Sequence, residues 1–233
     1  MHKTIVVLIS ADVEWRQVLN LYPDVDITQT PYGDSFTLTL PQLPSVPMVH
    51  VMHGGWGKVA AAASTQWAVD TWSPYLIVNL GTCGGFRGYI ERDSVVLPCQ
   101  TLVYDILEQM GDQQQALSHY TTDLDNTWLQ RPFPFPVVEG RLISGDRDLV
   151  AAEIEDLHAA FDAVAGDWES SSIAYVTARN GIRCLILRYV TDLVGPDGGE
   201  VYDGTLDLFE SRAQLAMHML FDHLPAWLRC AGL

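Results

Sequence analysis

Tyr75-Leu-Ile-Val-Asn79-Leu-Gly81-Thr82-Cys83-Gly84-Gly85-Phe86 decides how the rest of the chain is read. Its apolar, β-branched first half predicts a buried strand, and its second half predicts a turn of small residues at the strand's carboxyl end. Three glycines in five positions remove the Cβ atoms that would keep a ligand off the backbone. In an open α/β sheet, ligands sit at the carboxyl ends of the strands. Thr82 adds a hydroxyl to the turn and Asn79 lies just ahead of it, so a ligand is expected here.

On either side of this stretch, apolar runs alternate with helical patterns. Strands are expected at Ile5 to Ile9, Phe36 to Leu40, Pro47 to Met52, Ser94 to Leu97 (ended by Pro98), Arg141 to Ser144 and Arg183 to Tyr189. Helices are expected from about Val13, over Gly57 to Trp72, Arg147 to Phe161, Trp168 to Asn180 and Leu206 to Leu228. The alternation predicts an α/β fold with a central mixed, largely parallel sheet flanked by helices on both faces. No linker composition or repeat interrupts it, so residues 1–233 read as a single domain. Residues 106–136, including Arg131-Pro-Phe-Pro-Phe-Pro136, lack a period and read as a lid, a binding loop or a contact surface.

At 233 residues and 48% hydrophobic, the chain can bury a sizeable core. Its net charge of −16 argues against binding nucleic acid or an anionic membrane surface. A phosphate-bearing ligand would need a local cluster drawn from only 13 Lys and Arg residues. Cys83, Cys99, Cys184 and Cys230 form no CxxC pair, which fits a reducing, cytoplasmic location. The apolar run after Met1 is short and reads as a first strand rather than a signal segment, and no stretch approaches a membrane span.

Several familiar motifs fail on their spacing. Gly54-Gly-Trp-Gly57-Lys58-Val59 has Val59 where a phosphate loop needs Ser or Thr, and Met52 where it needs glycine. It reads instead as a strand-to-helix turn with Trp56 as an apolar wall. The Gly81 turn does not match GxGxxG, and no GxSxG elbow is present. The histidines are not spaced as metal ligands, so neither a metal nor a cofactor is implied. The carboxylates Glu14, Glu169 and Asp192 follow core strands. Each alone reads as a helix cap or a solvated acid; three beside a glycine turn also read as one shared site.

In order along the chain, six blocks carry a further signal. They are Ser10-Ala-Asp-Val-Glu14, Gly55-Trp-Gly-Lys-Val-Ala-Ala-Ala62, Asn79-Leu-Gly-Thr-Cys-Gly-Gly-Phe86, Gly140-Arg-Leu-Ile-Ser-Gly-Asp146, Asp167-Trp-Glu-Ser-Ser-Ser-Ile-Ala-Tyr-Val176 and Leu187-Arg-Tyr-Val-Thr-Asp-Leu-Val194. Together they resemble the nucleoside phosphorylase and nucleosidase superfamily, and within it most closely the 5′-methylthioadenosine/S-adenosylhomocysteine nucleosidases. The resemblance implies a nucleoside phosphorylase-like fold and hydrolysis of a purine nucleoside, with the small-molecule nucleoside as partner and a homodimer as the assembly. It makes Asp192 the acid toward the purine, Glu14 the residue that readies water, and Glu169 the carboxylate on the ribose hydroxyls.

Thr82 and Gly81 would then line the ribose and water site, with Trp168 against the sugar. Trp56, Phe86, Asp148 and Leu149 would complete the substrate contacts. Phosphorylases of the superfamily carry a basic N-terminal phosphate loop and an arginine two residues before the glycines. Here Ser10-Ala-Asp-Val-Glu14 and Asn79 stand in those places, so water rather than phosphate is the expected nucleophile. A non-catalytic nucleoside-binding protein and a phosphate-dependent phosphorylase are the alternatives. Departures from the family pattern are Arg147-Asp148-Leu149 at the base, Tyr104 in place of a histidine, and the bulk of Trp56 and Trp168. By the same resemblance, the two tryptophans would narrow the 5′-pocket in favour of a methylthio or deoxy group over homocysteine.

Overall fold

The computed structural model describes residues 3–43, 48–195, 198–199 and 206–233, with side chains from 208 onward in the last stretch. In chain order the elements are β1 (Ile5–Ile9), α1 (Asp12–Leu21), β2 (Thr28–Gln29), β3 (Asp34–Leu38), β4 (Val49–His53), α2 (Lys58–Trp72), β5 (Leu76–Phe86) and β6 (Val95–Val103). There follow α3 (Gln113–His119), β7 (Thr121–Asp123), β8 (Val138–Ser144), a 3-10 turn (Ala151–Glu153), α4 (Ile154–Phe161), β9 (Ala163–Asp167), α5 (Ser170–Arg179), β10 (Arg183–Gly195), β11 (Gly198–Gly199) and α6 (Leu206–Cys230).

Strand β1 lies between β4 and β5, parallel to both, and β3 and β2 extend that wing antiparallel. Along its other edge, β5 runs parallel to β10 from Leu76 to Phe86. β10 pairs antiparallel with β6, β6 parallel with β8, and β8 parallel with β9. β9 then returns antiparallel to Gly84 and Gly85 of β5. The expected mixed sheet is present, but β5, β10, β6, β8 and β9 close it into a barrel with several antiparallel seams. The largely parallel reading holds for its longest ladder, β5 with β10, and not for the sheet as a whole.

Helices cover both faces, as the unbroken apolar strands require. Ile5, Val7 and Ile9 share one core with Trp15 and Val18 of α1 and with Leu220, Leu224 and Trp227 of α6. Val6 and Leu8, pointing the other way, pack with Ala61 and Ala68 of α2 and Ile173 and Ala174 of α5. Each fully buried Val, Leu or Ile contributes about 1.5–3 kcal/mol relative to exposure.

The glycine-rich stretch is not a turn. β5 continues through it to Phe86, and these glycines meet a demand for space rather than for an unusual backbone angle. A Cβ on Gly85 would lie 2.6 Å from Val190 and 2.8 Å from Ile90, and one on Gly81 would lie 2.2 Å from the Arg188 guanidinium. Pro98 likewise does not stop its strand. A register shift between Pro98 and Gln100 absorbs the missing amide and β6 runs on to Val103.

The 106–136 segment is not uniformly irregular: it contains α3 and β7, and β7 pairs with β6. Its proline-rich end packs inward, with Phe133 and Phe135 against Trp227 at 5.0 and 5.5 Å between ring centroids. The helix expected from Arg147 begins only at the 3-10 turn Ala151–Glu153, which leaves Arg147 and Asp148 on a loop. β9, five residues built of Ala, Val, Gly and Asp, has no counterpart among the expected strands. Pro47 of the expected strand at 47–52 lies outside the described residues.

Candidate active site

A cavity of about 410 Å³ opens over the later parts of β5, β9 and β10, beside the first turn of α1. Glu14, Thr82, Glu169 and Asp192 line it, and so do Trp56, Asp148, Leu149 and Trp168. Eight of the ten residues expected from the sequence are therefore together in one wall. Gly81 and Phe86 are not among them. Gly81 lies beneath the wall, where its missing side chain admits Arg188 and Glu14. Phe86 is fully buried in a separate core cluster with Leu149 and Val194.

Glu14 stands not at a strand end but in the first turn of α1, 1% exposed. One of its oxygens accepts from the Thr82 amide at 2.6 Å and the Thr82 hydroxyl at 2.8 Å. The helix N-terminus and these donors stabilise an anion there. Thr82 is thereby a ligand of Glu14 as well as part of the cavity wall.

Glu169 is equally buried, and its Oε1 accepts from the Gly57 amide at 3.0 Å. Gly57 reaches it from a turn that needs positive φ at Gly55 (+76°) and Gly57 (+86°), which glycine tolerates without strain. Burial pushes the Glu169 carboxyl up to about 8; Arg188 opposes that rise, while Asp167 and Glu14 add to it.

Asp192 sits where β10 slips register between Val190 and Asp192, and the bulge carries its side chain to the cavity. The Thr191 hydroxyl donates to it at 3.0 Å. Cys83, in the same wall, is held a neutral thiol: burial pushes its pKa well up and Asp167 adds to the effect.

The sequence reading missed the centre of the site, Arg188. Its side chain is 1% exposed, yet its donors reach Ser170 Oγ (2.8 Å), Asn79 Oδ1 (2.8 Å) and the Thr82 carbonyl (3.3 Å). It pairs with Asp167 at 2.9 Å and with Glu169 at 3.6 Å. Burial pulls its pKa down, but Asp167, Glu169 and Glu14 outweigh that and raise it, so the guanidinium stays charged. The signal was available: an arginine inside the apolar run Cys184 to Val190 must find anionic partners. Asn79 serves this network, donating to the Leu8 carbonyl at 3.1 Å, and does not line the cavity.

The rim differs from the floor. Trp56, 58% exposed, packs obliquely on Trp168 with centroids 5.0 Å apart. Arg147 pairs with Glu153, and Phe209 of α6 reaches the cavity from the far side. Lys58 supports the glycine turn without facing the cavity: its ammonium pairs with Asp105, and its amide donates to Asp146 at 2.7 Å.

The chain is similar to proteins already known. The sequence profile of the Phosphorylase superfamily matches residues 4–225. A 5′-methylthioadenosine/S-adenosylhomocysteine nucleosidase from Buchnera aphidicola is 22% identical over 187 residues, which is 76% of this chain and 81% of that one. A 5′-methylthioadenosine nucleosidase from Arabidopsis thaliana is 31% identical over 148 residues, covering 60% of this chain and 52% of that one. Among solved structures, futalosine hydrolase of Helicobacter pylori superposes with a TM-score of 0.78 at 16% identity, over 97% of this chain and 99% of that one. At that identity the likeness speaks for the fold alone.

Proposed function

This chain belongs to the Phosphorylase superfamily, and from that premise we propose that it hydrolyses the N-glycosidic bond of a purine nucleoside of the 5′-methylthioadenosine kind. The observation that carries this reading is the meeting of Glu14, Glu169 and Asp192 in one cavity around Thr82. Breaking the bond builds positive charge on the sugar and negative charge on the base. Asp192 donates its proton to the departing purine. Glu169 takes the ribose hydroxyls, and Glu14, fixed by Thr82, orients and deprotonates water. Asp167 and Glu14 both act on the one guanidinium of Arg188, so the floor carries carboxylate charge in excess of that cation to stabilise a cationic sugar even while Glu169 holds its proton.

Water fits this wall better than phosphate. Among the described residues its two cations are Arg147 and Arg188; the first pairs with Glu153 and the second with Asp167 and Glu169. Trp56 and Trp168 restrict the end of the cavity next to Glu169, which favours a methylthio or deoxy 5′-group over homocysteine. A cytoplasmic location fits the four free cysteines, and no described helix is long and apolar enough to cross a membrane.

A second copy of the chain suits the face beside the cavity. There Val59 is 80% and Tyr120 39% exposed along an apolar groove between α2 and α5, and Leu107 and Met110 project from the adjoining loop. A fully active monomer in sedimentation would refute that assembly.

The function is tested by base release from methylthioadenosine, adenosylhomocysteine, adenosine and inosine, with and without phosphate. Release without phosphate is expected, fastest from methylthioadenosine. Strict phosphate dependence would make the protein a phosphorylase, and binding without release would make it a nucleoside-binding protein.

A further inference from the structure

The chemistry above brings Glu14, Glu169 and Asp192 to the substrate and gives Asp167 only its charge. Asp167 ends β9, and its side chain is 3% exposed. It borders the cavity but has no oxygen to offer a ligand. Its Oδ1 accepts from the Ser144 hydroxyl and from the amides of Glu169 (3.3 Å) and Ser170 (3.2 Å). Its Oδ2 accepts from the Ser170 hydroxyl and faces Arg188 Nε at 2.9 Å.

The partners of Asp167 are themselves fixed. The Ser171 amide donates to Ser144 Oγ at 3.0 Å, and Ser170 Oγ lies 2.8 Å from Arg188 Nε and 3.2 Å from Asn79 Oδ1. Among the described residues, no buried side-chain atom of this network lacks a partner, and a satisfied buried network is rigid. Arg188 carries the network toward the cavity: Nη1 donates to the Thr82 carbonyl and Nη2 lies 3.6 Å from Glu169.

We propose that Asp167 is a positioning residue: it pins the Arg188 guanidinium beneath the sugar site and, through Arg188, fixes where Glu169 stands to receive the ribose hydroxyls. Without Asp167 the guanidinium would turn wholly to Glu169 and Glu14 and draw them out of place. The groups facing Glu169 are Arg188 from β10, Asp167 from β9, Glu14 from α1 and the Gly57 amide ahead of α2. Removing the Asp167 charge takes away a like charge and strengthens the Arg188 pair, so both effects lower the pH at which Glu169 ionises.

Because this role presupposes the nucleosidase reading, Asp167→Asn is measured in two ways, one of which needs no substrate. In steady-state assays against pH, kcat is expected to fall about 10²-fold, with KM less affected. The free-enzyme ionisation seen in kcat/KM is expected to move to lower pH. A wild-type kcat, or a reduced kcat with an unmoved pH profile, would overturn the proposal. In thermal unfolding without ligand, the stability the wild type loses as Glu169 gives up its proton should be lost at lower pH in the variant, and an unchanged curve would overturn it. Base release from no nucleoside by the wild type would refute the function while the unfolding comparison still decides the role of Asp167. If Asp167→Asn does not fold, Ser170→Ala keeps every charge and removes the hydroxyl shared by Asp167 and Arg188. It should cost about tenfold in kcat with KM little changed, and a wild-type kcat there would overturn the proposal.

Discussion

The floor and the rim of the cavity are built on different physical terms. Glu14, Asp167, Glu169 and Arg188 are each less than one-tenth exposed and are tied to β5, β9 and β10 and to the starts of α1 and α5. Trp56, Arg147, Asp148 and Trp168 ride on loops and are partly or largely exposed. A displaced charge in the floor has no water to screen it, whereas a changed side chain on the rim alters shape and little else. On the proposed function, chemistry therefore falls to the floor and substrate choice to the rim.

The division is broken most sharply by its largest expected effects. Asp192→Asn and Glu14→Gln should each lower kcat by roughly 10²–10⁴-fold, the range for a lost general acid or base. Nucleoside binding by calorimetry should survive in both. Near wild-type turnover in either variant would move the chemistry out of the floor.

The next effect is on stability. Glu169 binds its proton more tightly folded (about 8) than unfolded (about 4.5), so folding gains from that proton at low pH. The gain is fully present below about pH 4.5 and is lost as pH rises through about 8. The ligand-free thermal midpoint should fall across that window in the wild type, and Glu169→Gln should flatten the decline. A wild-type midpoint that rises across the window would show that Glu169 is ionised in the folded floor.

How much of this was legible in the sequence follows the same line. The central strands announce themselves, because a strand buried on both faces reads as a near-continuous apolar run, as Ile5–Ile9 does and as Leu76–Leu80 does except at Asn79. The acids were legible only as a set of three beside the glycines, since each alone reads as a helix cap or a solvated acid. Barrel closure was not legible: it depends on β9, whose Ala163–Asp167 is too short and small to carry a period. The glycines of β5 were misread as a turn for the same reason. What excludes a Cβ at Gly81 is Arg188, more than a hundred residues further along the chain. Arg188 itself was hidden in plain view, since an isolated charge in an apolar run says that partners exist without saying which.

A smaller effect probes the seam between floor and rim. Lys58 anchors the glycine turn to Asp105 and Asp146, and that turn presents the Gly57 amide to Glu169. Lys58→Ala should loosen the amide and lower kcat/KM by about tenfold, far less than losing a floor carboxylate. An unchanged kcat/KM would mean that the glycines alone hold the turn.

The smallest effect belongs to the rim. Trp56 is more than half exposed and rests on Trp168, so Trp56→Ala removes a wall without leaving a buried polar group unpaired. Pocket contacts of this apolar kind discriminate by only about 10–200-fold. The variant should accept adenosylhomocysteine better relative to methylthioadenosine, by about tenfold in the ratio of kcat/KM values, while kcat on methylthioadenosine changes far less than in the floor variants. The indole is no general acid or base, so a hundredfold loss of kcat with the ratio unchanged would point to one meaning. Trp56 would then hold Gly57 and Glu169 in place, and the floor would extend to the rim.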